Sequence, residues 1–281
     1  MGVKTNLTLE QINSFFQDYE FVCLNSTKTG ISDTVYILKD KNSKKYILKL
    51  YENSSMKEVL EEIDILNHIS NLDVPKVLSF FLGYSKPIVL FSYKNATHIN
   101  SIKKEHISQI GIFLRNLHSI NTNLQINKDF NLEELIDSID FKNDTNIKKE
   151  FLSRYEIVKD LILEKNTLIH ADIFPDNVSF YNDRLNGVFD FAHSCIGDKN
   201  IDLSIVIISW CFYDKKFDFA LINSFLNSYS NNIKLRQLKK YLLYVSLYFC
   251  IKRYINIINK NYKNVSYQEF IFIFDEIKNK L

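Results

Sequence analysis

The sequence predicts an α+β protein, with a small antiparallel sheet and one helix over residues 1–93 and a larger, mainly helical part over 94–281. Three observations lead there. Runs of β-branched and aromatic residues cluster in the first ninety positions, helical spacing of apolar residues dominates afterwards, and polar residues break the pattern at 93–100.

Thr8 followed by Gln11 is a capping box, and Leu9, Ile12, Phe15 and Phe16 form the apolar stripe of a short first helix. The runs 35–38 and 46–51 are strand-like, and the polar stretch 40–44 between them predicts a hairpin. Over 56–70, Val59, Ile63, Leu66 and Ile69 share one helical face, which Pro75 bounds. Residues 77–82 and 88–91 complete the sheet. Further on, Ile107, Ile110, Leu114 and Leu117 predict one helix and 152–163 another. The polar, Asn-rich stretch 121–146 reads as a loop-rich insertion. Short strands at 178–180 and 187–189 flank a turn at Asn182 and Asp183, and three or four helices follow.

A chain of 281 residues, 46% of them hydrophobic, holds more core than one small domain needs. The net charge of +2 gives no footprint for a nucleic-acid partner. The longest apolar stretches are too short to span a bilayer, so no membrane partner is expected. Cys23, Cys195, Cys211 and Cys250 form no C-x-x-C pair, which argues against zinc and disulfides and fits a reducing, cytoplasmic setting.

The sharpest feature is His170-Ala171-Asp172-Ile173-Phe174-Pro175-Asp176-Asn177, followed by a β-hairpin that leads to Asp190. Phosphoryl transfer from ATP needs a carboxylate to orient the attacking hydroxyl, oxygen ligands for Mg²⁺, and a cation on the phosphates. Asp172 can supply the first, and Asn177 and Asp190 carry the oxygens that Mg²⁺ prefers. Taken singly, an Asp, an Asn and a His in a loop are turn formers, and a lone Lys or Glu is a solvated side chain. The ordered set is what carries the signal.

The spacing H-x-D-x-x-x-x-N, with an Asp after a hydrophobic strand, resembles the catalytic segment of the aminoglycoside phosphotransferase family, which includes choline kinases and one type of homoserine kinase. The resemblance implies a bilobal, protein-kinase-like fold that uses ATP and Mg²⁺. It implies Asp172 as catalytic base, His170 as the residue that braces the loop, and Asn177 and Asp190 as metal ligands. Lys49 resembles the strand lysine that contacts phosphates, and Glu62 the helix acid that pairs with it, with Glu61 the alternative if the register shifts by one. Gly30 and Ser32 fall where the family has its phosphate-covering loop, and Phe91 and Tyr93 where it has its adenine-binding linker. Protein kinases are set aside. Phe174 stands where their catalytic loop has Lys, Phe191-Ala192 follows Asp190, and there is no Ala-Pro-Glu.

Within that family the chain most resembles the homoserine kinase type, through the segments 3–5, 46–52, 170–180 followed by 187–191, 195–211 and 247–253. The implied partner is a small-molecule hydroxyl acceptor. Residues 231–281 carry ten Lys and Arg against three acids. That balance suits an acceptor with a carboxylate better than a polycationic antibiotic. Arg253, inside an apolar helix, is the candidate substrate-binding cation. Asp202 either orients the catalytic loop or serves as a helix-start acid, and His118, His193 and Trp210 read as packing or surface residues. A choline, ethanolamine, sugar or aminoglycoside kinase, or a non-catalytic nucleotide-binding module, are the rival functions.

Overall fold

The computed structural model describes residues 3–27, 33–95, 99, 101–126, 128–139, 145–260 and 266–281. Contacts divide the chain into two compact units. One holds 1–98 with 179–181 and 186–192; the other holds 99–178, 182–185 and 193–281.

The first unit is built on a five-stranded antiparallel sheet. Its strands are β1 (Phe21–Ser26), β2 (Thr34–Asp40), β3 (Lys45–Leu50), β4 (Val77–Phe81) and β5 (Ile88–Ser92), in the order β1-β2-β3-β5-β4. Helix α1 (Leu9–Phe15) opens on the expected box, with Gln11 N donating to Thr8 Oγ1 and Thr8 N donating to Gln11 Oε1. On β3, Tyr46, Leu48 and Leu50 are buried with Tyr36 and Leu38 of β2 in one core that includes Ile12 and Phe16. Successive strand residues point to opposite faces, so Lys49 emerges on the face away from that core. There it meets α2 (Met56–His68), which Ser55 caps and which buries Val59, Glu62, Ile63, Ile65 and Leu66. Strand β1 was not expected: its burial does not alternate cleanly and a bulge interrupts its pairing between Phe21 and Cys23.

The second unit is mainly helical. It contains α3 (Lys104–His118), α4 (Leu132–Asp137), α5 (Thr145–Val158), β6 (Thr167–Ile169), β9 (Cys195–Gly197), α6 (Lys199–Trp210), the two-stranded β10 (Phe212–Tyr213) and β11 (Lys216–Phe217), α7 (Phe219–Tyr229), α8 (Lys239–Lys260) and α9 (Gln268–Lys280). The hairpin of β7 (Val178–Tyr181) and β8 (Arg184–Val188) turns at Asn182 and Asp183, both with positive φ. Two such residues in a row match the twist of a tight hairpin, which Asn and Asp tolerate best. Helix α5 lies earlier than the expected 152–163, and α4 falls inside the stretch expected to be loop-rich.

Helix α6 is buried from Ile201 to Ile208 and again at Trp210. It is apolar on every side, as a central core helix must be, and Asp202 is the fully buried acid within it. Helices α3 and α7 approach closely at Gly111, where a Cβ would lie 2.1 Å from Ser228 Oγ and 2.8 Å from the Phe225 carbonyl oxygen. Any larger residue there would push the two helices apart.

Candidate active site

The segment 170–177 leaves β6 in a strained turn. Ala171 adopts φ 62°, a left-handed conformation that costs a residue with a Cβ about 1 kcal/mol or more. The surroundings offset that strain. Asp202 accepts the His170 N–H through Oδ2 and the Ala171 N–H through Oδ1, each at 2.8 Å. His118 Nε2 lies 3.0 Å from Asp202 Oδ2, and its Nδ1 lies 2.9 Å from the Tyr229 hydroxyl. Ser194 Oγ donates to the His170 carbonyl and Trp210 Nε1 donates to the Ile173 carbonyl. Asp202 thus binds the loop directly, and His118 and Trp210, expected as packing, are part of its support.

His170 is fully buried, and its Nδ1 accepts the Asp172 N–H at 3.2 Å. Pro175 opens a 3₁₀ turn that brings Asn177 back over Asp172. Asn177 Nδ2 donates to both the Asp172 carbonyl (2.8 Å) and Asp172 Oδ2 (3.0 Å). Asp172 is half-buried, and the Asn177 amide holds one of its carboxylate oxygens. An amide oxygen such as Asn177 Oδ1 is a hard donor of the type Mg²⁺ accepts.

The first unit holds a cluster of charged side chains around Lys49. Lys49 Nζ lies 3.2 Å from Asp190 Oδ1, 3.4 Å from Asp33 Oδ2 and 3.8 Å from Glu62 Oε1. Glu62, not Glu61, is the buried acid of α2. The ammonium also sits 4.4 Å from the centre of the Tyr51 ring, a cation–π contact. Burial alone would lower the Lys49 pKa. The pull of Asp190 and Glu62, joined by Asp33, outweighs it and raises the pKa well above its ordinary value, so the ammonium is held charged. Asp190 has φ 61° and follows β8, whose Val188 N–H donates to the Asp73 carbonyl at 2.8 Å. That bond ties the end of the hairpin to the first unit.

Phe91 is buried on β5 opposite Ile47, and Tyr93, just past the strand, is half-buried with the Lys45 ammonium 5.0 Å from its ring. Gly30 and Ser32 lie outside the described residues. Arg253 is half-buried on α8, 4.3 Å over the Phe270 ring and 3.5 Å from Glu269 Oε2. Burial lowers its pKa, against the pull of Glu269, Asp176 and Asp172. Asp33 and Tyr51 were missed by sequence reasoning. Tyr51 had a local signal, since it lies two residues after Lys49 and so continues the face of β3. Asp33 had none, because only the β2–β3 register brings the start of β2 beside the end of β3.

Residues 27–238 match the model of the phosphotransferase enzyme family, and the chain belongs to that family. It is a small-molecule phosphotransferase with a protein-kinase-like α+β fold. Its relatives include a homoserine kinase from Methylobacillus flagellatus, 24% identical over 250 residues that cover 82% of this chain and 77% of the relative. The homoserine kinase of Zymomonas mobilis is 28% identical over 240 residues, 75% of this chain and 73% of the relative. Among solved structures, an amicoumacin kinase with AMP-PNP and Ca²⁺ superposes with a TM-score of 0.71 at 16% identity, over 97% of this chain and 92% of that one. A choline kinase from Streptococcus pneumoniae gives 0.67 at 16% identity, over 96% and 95%. Among the described residues, no helix is long and apolar enough to cross a membrane.

Proposed function

We propose that this chain is an ATP- and Mg²⁺-dependent kinase that phosphorylates the hydroxyl of L-homoserine or a close hydroxy-amino-acid analogue. The observation that carries the reaction class is the Asp172 carboxylate, held by the Asn177 amide on a loop that Asp202 fixes. The homoserine assignment is supported by the homoserine kinase relatives and by the basic balance of 231–281.

In this reading the Asp172 carboxylate accepts a hydrogen bond from the acceptor hydroxyl. The hydroxyl oxygen forms a bond to the γ-phosphorus as the bond to the departing ADP oxygen breaks, and the proton passes to Asp172. Lys49, kept charged by Asp190 and Glu62, pairs with the phosphates of ATP. Asn177 and Asp190 supply oxygen ligands to Mg²⁺, which neutralises phosphate charge when bound. Phe91 and Tyr93 border the adenine, Gly30 and Ser32 belong to the loop over the phosphates, and Arg253 adds positive charge on the acceptor side. Most of the catalysis is positioning and electrostatic stabilisation. A non-catalytic nucleotide-binding module has no use for a carboxylate held as Asp172 is.

The test is an acceptor panel with ADP release as readout, comparing L-homoserine with choline, ethanolamine, sugars and aminoglycosides. Turnover with L-homoserine at least about tenfold above the others, as kcat/KM, is the expected result. Preference for choline or an aminoglycoside would replace the acceptor while leaving the reaction class in place.

A further inference from the structure

Tyr51 lies directly past β3, two residues after Lys49 on the same face, and is 1% exposed. Its backbone is tied on both sides. The Tyr51 N–H donates to the Pro87 carbonyl at 3.0 Å, which carries the β3–β5 pairing one step beyond Leu50 and Ile88. The Glu52 N–H donates to Asp33 Oδ1 at 3.0 Å, and the Glu52 carboxylate is held by Thr5, Thr34 and Lys86. The ring is therefore fixed by a frame that does not depend on Lys49.

The Lys49 ammonium rests 4.4 Å from the centre of that ring. Burial raises the Tyr51 pKa well above its ordinary value, and the Glu62 carboxylate adds to this against the pull of Lys49, so the ring stays an uncharged phenol. This sets Tyr51 apart from the acids around the ammonium. Asp190, Asp33 and Glu62 attract it by charge, and the same charge repels a phosphate. An aromatic face holds a cation without adding a formal negative charge to an anion site. The lysine stem is four carbons long and flexible. Such a seat decides where the ammonium stands when a phosphate competes with the carboxylates for it.

We propose that Tyr51 is a positioning residue for phosphoryl transfer: its ring face seats the Lys49 ammonium, so that the charge serves the nucleotide phosphates and is not drawn onto Asp190 or Asp33. The inference rests on the reading of Lys49 as the cation on those phosphates, and Tyr51 acts only through it. All of these residues lie in the first unit.

The test is a double-mutant cycle on kcat/KM for ATP. It compares wild type, Tyr51→Leu, Lys49→Met and the double variant, with the acceptor that turns over best in the panel. Tyr51→Leu should lower kcat/KM for ATP about 5- to 30-fold, the worth of a desolvated cation–π contact, with KM for the acceptor within about twofold of wild type. Tyr51→Phe, which keeps the ring, should stay within about threefold of wild type. In the Lys49→Met background Tyr51→Leu should cost less than about twofold more, because its partner is gone. An equal loss in both backgrounds would make Tyr51 a packing residue and overturn the proposal. So would wild-type kcat/KM in Tyr51→Leu, or a Tyr51→Phe variant as poor as Tyr51→Leu. Should Tyr51→Leu fail to fold, trifluorophenylalanine in place of Tyr51 keeps the shape of phenylalanine and withdraws negative charge from the ring face. That protein should fall about 3- to 10-fold below Tyr51→Phe in kcat/KM for ATP, and equality of the two would overturn the proposal. Wild-type kcat/KM for ATP in Lys49→Met would reject the reading of Lys49 itself and the seat with it, a result distinct from additive losses across the cycle.

Discussion

Lys49 Nζ and Asp190 Oδ1 lie 3.2 Å apart although 141 residues separate them in the chain. The lysine comes from a strand of the sheet, and the aspartate from a hairpin that returns to the same compact unit. The pair concentrates a cation and a metal-competent carboxylate at one point. Asp190→Asn should weaken Mg²⁺-dependent ADP binding by about tenfold or more, by removing a charged ligand. Calorimetric titration with and without Mg²⁺ reads this, and an unchanged Mg²⁺-dependent affinity would count against Asp190 as a ligand. Lys49→Met should cost about 100-fold in kcat/KM.

Asp33 competes for the same ammonium. Its Oδ2 is 3.4 Å from Lys49 and its Oδ1 accepts the Glu52 N–H at 3.0 Å. Asp33→Asn keeps the backbone bond and removes a negative charge from a position close to the phosphates. The KM for ATP should fall by about two- to fivefold, since like charge near an anion site is unfavourable. A rise in KM would mean that Asp33 contributes to nucleotide or metal binding.

Asp202 holds three donors in a fully buried position: the His170 and Ala171 N–H groups and His118 Nε2. Asp202→Ala leaves all three without their acceptor, each at about 1–3 kcal/mol. A loss of about 3–5 kcal/mol in urea unfolding is expected. Asp202→Asn retains the shape but turns an N–H₂ toward a donor. It should lower kcat about 100-fold while KM for ATP changes little, because the loop that carries Asp172 is what moves.

Glu52 gives a pH-dependent test. Burial alone would raise its carboxyl, but hydrogen bonds from Lys86, Thr34 and Thr5 outweigh that and hold it below its ordinary value of 4.5. A carboxylate with a depressed folded-state pKa stabilises the fold above the unfolded value, and the contribution disappears as pH falls through the folded value. Glu52→Gln should therefore cost about 2 kcal/mol at pH 7, and the difference from wild type should shrink below about pH 4. Urea melts of both proteins across pH 3–7 check this; a difference independent of pH would assign the effect to packing.

The thiols give a chemical check on the cores. Burial pushes Cys195 and Cys250 up to about 12 and raises Cys211 as well. The thiolate is the reactive form, so iodoacetamide at pH 8 should label Cys23, which is half-buried, ahead of the other three. Mass spectrometry should find one adduct in the native protein and four after denaturation.

The grouping of the 170–177 loop residues was legible in the sequence because they are local. His170, Asp172 and Asn177 lie within eight positions, and Pro175 marks the turn that folds Asn177 back onto Asp172. Lys49 and Glu62 were singled out by resemblance to the family's strand lysine and helix acid, and the structure places the two 3.8 Å apart. What the sequence did not reveal depends on long-range pairing. The approach of Asp33 to Lys49 follows from strand register, and the return of 186–192 to the first unit has no local signal. His118 looked like packing because its partners, Asp202 and Tyr229, lie on α6 and α7, far along the chain. Helix α5 begins earlier than expected because its first turns are mostly polar and charged, which hides them from apolar periodicity.

The central claim is that Asp172 directs transfer of the γ-phosphoryl group to a small-molecule hydroxyl. The most direct measurement is mass-spectrometric detection of the phosphorylated acceptor from ATP, Mg²⁺ and L-homoserine, run in parallel with wild type and Asp172→Ala. The account predicts O-phosphohomoserine from the wild type, a loss of at least about 1,000-fold in the variant, and nearly equal ATP affinity for both by titration. Product formation by Asp172→Ala at the wild-type rate would contradict it.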